Sequence, residues 1–125
     1  MKAMSNFVRR WGAAILVMLA IFCLSSRPSA ELPHFGWADA AVKKGSHVLG
    51  YGLLALSYWK AFGWRPERIA QAWGLAVLYG ISDELHQAFV PGRHASALDV
   101  LLFDSTGAAI ALLARQRLRA GASRR

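Results

Sequence analysis

Between Tyr79 and Asp104 the stretch YGISDELHQAFVPGRHASALDVLLFD sets Asp83, Glu84, His86, Gln87, Arg93, His94, Asp99 and Asp104 between two apolar runs. Both runs read as lipid-spanning helices, and an Asp or Arg at mid-bilayer costs roughly 2.5–3.5 kcal/mol even on the lowest insertion scales. Several such groups in one hairpin therefore imply a polar site whose members satisfy one another inside a helix bundle. A carboxylate and a histidine in a partly desolvated pocket can exchange protons as general base and acid, which makes Asp83, Glu84 and His47 the catalytic candidates. Arg93, and Lys44 if it swings inward, would clamp a phosphate or carboxylate. Tyr51, Gln87, Asp99 and Asp104 complete the binding set. The plainer account of the same residues makes His47, Tyr51 and Gln87 hydrogen-bonding glue between helices, pairs Arg93 with Asp99, and gives His86 a structural or interfacial place. No H-E-x-x-H or comparable helical ligand spacing is present, so no metal is expected. No phosphate-cradling glycine loop, nucleophile elbow or cysteine motif implies a cofactor or another chemistry either.

Helical spacing says how these groups are positioned. Lys44, His47 and Tyr51 fall at i, i+3, i+7 and share one face, as do Tyr79, Asp83 and Gln87 at i, i+4, i+8, so the two faces can meet across a helix pair. Glu84 points about 100° away from Asp83 and needs a different partner. Asp99 is expected to cap the last helix at its positive end. Asp104 lies beside Gly107, Ala108 and Ala111, small residues that let helices approach closely, so that face should carry Asp104 into the bundle.

The rest of the chain supplies the helices. Of its 125 residues 55% are hydrophobic and gathered into long blocks, a membrane composition in one domain, with too little chain left for a separate soluble core. Four spans are expected, at about 11–26, 46–64, 69–90 and 97–114, followed by a basic tail at 115–125 that should be frayed, surface-bound or disordered. The first run also has the basic start and apolar centre of a signal peptide, but Pro28 stands where a small residue is wanted before cleavage, which favours an uncleaved span. From Glu31 to Gly45 the chain reads as a Pro- and Gly-punctuated loop. Cys23 lies in the first apolar run and is read as apolar filler.

With the N-terminus inside, Lys2, Arg9, Arg10, Lys60, Arg65, Arg68 and the five C-terminal arginines share the cytoplasmic side, leaving Arg27, Lys43, Lys44 and Arg93 outside. That asymmetry follows the positive-inside rule and places both termini in the cytoplasm. The net charge of +8 is thereby explained by topology and contact with anionic lipid, and no nucleic-acid partner is expected. Trp11, Trp59, Trp64 and Trp73 all fall at the same inner interface. The polar residues of all four spans then gather at the outer side.

At these residues the chain resembles the VanZ-like family of bacterial integral membrane proteins. The likeness rests on Leu24-Ser25-Ser26, on the K-x-x-H-x-x-x-Y run of Lys44, His47 and Tyr51, on D-E-x-x-Q-x-F-x-P-x-R from Asp83 to Arg93, and on Asp99 followed by Asp104-x-x-Gly107. It spans Trp11 to Leu113, with two departures: Lys43 replaces an Asp usual before the family's lysine, and Asp104 stands one residue further from Asp99 than the family pattern expects. The resemblance implies a multi-pass protein of the bacterial inner membrane, in a family named for a member that lowers susceptibility to the glycopeptide teicoplanin. It implies neither a substrate nor a reaction.

Three readings follow. In the first, an outward-facing site engages a membrane lipid or lipid-linked cell-wall precursor, with or without catalysis. In the second, the protein is a non-catalytic accessory or binding module, a homo-oligomer among its possible forms, in which the cluster is structural. In the third it carries protons or ions, a task for which a four-span chain would have to oligomerise.

Overall fold

The computed structural model describes residues 1–124, and these form an all-helical protein of four long helices without a strand. Helix α1 runs Lys2–Ser25, α2 Asp39–Ala61 and α3 Ile69–Gln87, and α4 is the continuous helix Ala97–Ala122. Two of them, α1 and α4, are long and apolar enough to cross a membrane. Helix α2 packs against the other three, while α1 and α4 each touch both members of the α2–α3 pair. The centre is made by Tyr51, Leu54, Ala55, Trp59, Ala76 and Leu112.

Several ends differ from the sequence expectation. Helix α2 begins at Asp39, so much of the expected loop from Glu31 to Gly45 is helical. Asp39 in the first turn favours the helix dipole, and the Lys43 ammonium one turn later lies 2.7 Å from its carboxylate, offsetting the poor apolar periodicity of that turn. That ammonium, hydrogen-bonded to Asp39, holds the half-buried carboxyl below its ordinary value. The small stabilisation this gives is present above the unfolded value and lost as pH falls through the lower folded one.

Helix α3 stops at Gln87, three residues before Val90. Pro91 cannot donate to a continuing helix, Gly92 has φ +72°, and the Arg93 N–H closes a turn onto the Val90 carbonyl at 3.2 Å. The Pro91 carbonyl accepts from the Ser29 N–H at 3.3 Å, which ties the α1–α2 connection onto the hairpin.

The basic tail is also different. Helix α4 continues to Ala122 because its arginines find partners on the last turn of α2 and the α2–α3 turn: Arg115 lies 4.7 Å over the Trp64 ring, and Arg119 lies over Trp59 and donates to the Trp64 carbonyl at 2.6 Å. Trp64 itself adopts φ +58°, uncommon for a bulky residue, held by an edge contact with Trp59 at 5.2 Å. Trp11 joins this end through Phe62 at 5.5 Å, so three of the four expected interfacial tryptophans do cluster. Trp73 departs from them, its indole N–H donating to the Ser105 carbonyl on α4 at 3.0 Å.

Candidate functional site

Helices α2 and α4 meet through glycine. A Cβ at Gly107 would stand 2.4 Å from the Val48 carbonyl oxygen, and one at Gly52 would stand 3.1 Å from the Gly107 oxygen, so only bare backbone permits this approach. The close contact brings the residue one turn before Gly107 against α2 as well. Asp104 is 1% exposed, and its Oδ1 lies 2.9 Å from His47 Nδ1 on α2.

A π-helical turn over Val100–Asp104 sets this register. Such a turn takes up one residue more than an α-turn, and it occurs frequently at functional sites. The five-residue interval from Asp99 to Asp104 falls in this turn, and Ser105 Oγ just after it donates back to the Leu101 carbonyl. Space for the carboxylate comes from Gly80 on α3, where a Cβ would stand 3.1 Å from Asp104 Oδ2.

The two expected helical faces do meet. Tyr51 stacks on His47 at 6.1 Å between ring centroids and donates to Asp83 Oδ2 at 3.2 Å. Gln87 Nε2 donates to the same oxygen at 3.1 Å and to Ser25 Oγ on α1 at 3.1 Å. Tyr79 donates to the Met18 carbonyl at 2.6 Å. Glu84, turned away from Asp83 as its position on the helix requires, accepts the Ser96 N–H at 2.6 Å and so fixes the entry to α4. Both acids are buried because α3 is covered on one side by α1 and α2 and on another by this loop.

Other expected roles change. Ser96, not Asp99, is the N-cap of α4: it has the extended backbone a cap requires, and its Oγ accepts from the Asp99 N–H. Asp99 is then an acid of the first turn. Arg93 does not pair with Asp99; the ion pairs among the described residues are Lys43–Asp39, His47–Asp104 and Arg65–Glu67. Lys44 lies 4.9 Å over the Phe103 ring. His86 is structural in its contacts, stacked on Phe22 at 4.7 Å with Nε2 2.9 Å from Ser26 Oγ. Ser25, Ser26, Ser96 and Gly80 were not among the expected site residues. The paired serines closing an apolar run were the available sign of the first two.

A cavity of about 540 Å³ opens beside this network, between the α1–α2 connection and the α3–α4 hairpin. Lys44, His47 and Arg93 contribute polar walls, and Leu24, Leu32 and Phe103 apolar ones. Asp83, Gln87, Tyr51 and Asp99 also border it. Glu84 and Asp104 are not among its lining residues, but with His47, which is, they bring potential ligand atoms within 4.8 Å of one another.

No curated protein and no solved structure matches the chain. A sequence model described as VanZ/LLP1 matches residues 4–118, which takes in α2 and α3, all but the outer ends of α1 and α4, and every residue of the buried network. The chain therefore belongs to the VanZ/LLP1 family.

Proposed function

We propose that this is a multi-pass protein of the bacterial inner membrane, with four spans and both ends cytoplasmic, whose outer polar end receives the anionic head group of a lipid or lipid-linked cell-wall precursor. The cavity carries the reading. Lys43 on its rim is paired with Asp39, but its other two cations, Lys44 and Arg93, form no ion pair with an acid among the described residues, and its apolar wall suits the hydrocarbon that follows a head group. Support for four spans comes from the outward faces of the two less apolar helices, where Leu49 and Leu53 on α2 and Leu78, Ile81 and Leu85 on α3 are exposed. Water would not favour so much uncovered apolar surface on every long helix, whereas lipid would.

The non-catalytic reading has its own support for part of the set. Asp83 accepts two hydrogen bonds, Gln87 bridges α1 and α3, and Glu84 holds the loop, so these three are engaged in joining elements. Ligand contact falls to Lys44, Arg93 and His47.

The test is retention of phosphatidylglycerol against phosphatidylcholine by the purified protein, read by native mass spectrometry. Each cation near an anionic surface contributes about 1 kcal/mol, so Arg93→Gln and Lys44→Gln should each lower preference for the anionic lipid roughly fivefold. Thermal stability should stay unchanged. Equal retention by the variants, or a C-terminal reporter that reads external in cells, overturns the proposal.

A further inference from the structure

We infer that His47, Glu84 and Asp104 form a binding site for one divalent transition-metal ion. The inference goes beyond the head-group reading and does not depend on it. Three helices deliver the ligands, α2, α3 and α4, which is why spacing along a single helix does not reveal the set. The second observation is Asp104 Oδ2. This oxygen is buried without a hydrogen-bond partner, although it belongs to a carboxylate whose residue is 1% exposed. Buried polar atoms are paired in nearly every folded protein, so an orphan oxygen on one of three grouped ligand residues is free to take a ligand bond.

Charge points the same way. Asp83, Glu84 and Asp104 are all buried in this layer, no lysine or arginine forms an ion pair with any of them among the described residues, and His47 is the sole basic group in contact. A dication would offset the excess that one imidazole cannot. Geometry permits it: ligands at about 2.1 Å around a tetrahedral ion stand about 3.4 Å apart, so side chains now within 4.8 Å need close by little more than an ångström. Gly80 leaves the room in which Asp104 Oδ2 sits, and the His47–Asp104 contact already holds two of the ligands together.

One imidazole with two carboxylates suits Zn²⁺ or Mn²⁺ better than a soft Cu(I) site or the larger oxygen cage of Ca²⁺. Three protein ligands leave a coordination position open, and His47 borders the cavity, so that position is reachable by an oxygen of water or of a bound anion. On binding, Nδ1 of His47 exchanges its contact with Asp104 for the metal, and the neutral ring then carries its proton on Nε2.

The experiment is equilibrium dialysis of the chelator-stripped, detergent-solubilised full chain against Zn²⁺, with bound metal measured by mass spectrometry. One ion per chain is expected for wild type, His34→Ala and Glu67→Gln. Asp104→Asn and Glu84→Gln should weaken binding at least about tenfold, since even outer-shell changes at metal sites cost that much. A second measurement needs no variant: acylation of His47 by diethyl pyrocarbonate should fall several-fold with Zn²⁺ present, while His34 and His94 react as before. Failure to bind one ion, binding abolished by His34→Ala, or unchanged His47 acylation overturns the inference. None of these outcomes alters the lipid retention expected of the Arg93 and Lys44 variants.

Discussion

Gly107→Ala is expected to lower stability in detergent by about 3 kcal/mol, the upper part of the range for overpacking a close-packed interior. The added methyl would sit 2.4 Å from the Val48 oxygen, 2.7 Å from its Cα and 2.9 Å from its carbonyl carbon. These are backbone atoms in the middle of α2, so no side-chain rotation relieves the contact and the two helices must separate. Separation there also draws Asp104 away from His47, because Asp104 precedes Gly107 on the same face. The matched control is Gly74→Ala in α3, where nothing lies within 4 Å of the new Cβ. That change should be neutral or stabilise by up to about 1 kcal/mol, since alanine is the better helix former. Denaturation of both variants in one detergent gives the comparison, and equal midpoints would refute the close α2–α4 approach.

How far the site could be read from sequence depends on whether the cause was local. Tyr79, Asp83 and Gln87 lie on successive turns of one helix, and spacing alone shows their shared face and lets it meet Tyr51 across the helix pair. The small residues Gly107 and Ala108 announced a packed face, and Asp104 is buried with them. What spacing missed came from tertiary contacts or from irregular helix. The π turn at Val100–Asp104 is a departure from 3.6-residue periodicity, and only the five-residue interval from Asp99 hinted at it. An acid at a helix start suits the cap, but Ser96-x-x-Asp99 places the serine at the cap and the acid in the first turn. By composition the tail is a charged fringe; its order comes from Arg115 and Arg119 against Trp64 and Trp59, which lie far earlier in the chain. Gathering His47, Glu84 and Asp104 required three helices to be folded first.

Removal of His47 should show whether Asp104 carries its charge into the bundle. With chelator present to keep the site free of metal, His47→Ala leaves a buried carboxylate without the group that now sits 2.9 Å from its Oδ1. Breaking a buried pair from one side costs about 3–5 kcal/mol, because the remaining charge stays desolvated and unpaired. Asp104→Asn alone should cost less, about 1 kcal/mol, since the amide oxygen still accepts a hydrogen bond from Nδ1 and no net charge is stranded. The decisive variant carries both changes. If the loss in His47→Ala comes from the stranded charge, adding Asp104→Asn restores about 2 kcal/mol or more, and the pair shows strong coupling in the cycle. If the loss comes from packing of the imidazole against Tyr51, which stacks on it at 6.1 Å, the second change adds to the damage. Restoration thus means that the π turn on α4 and the gap at Gly80 hold an ionised carboxylate in place for His47, and additive loss means that they hold a neutral acid.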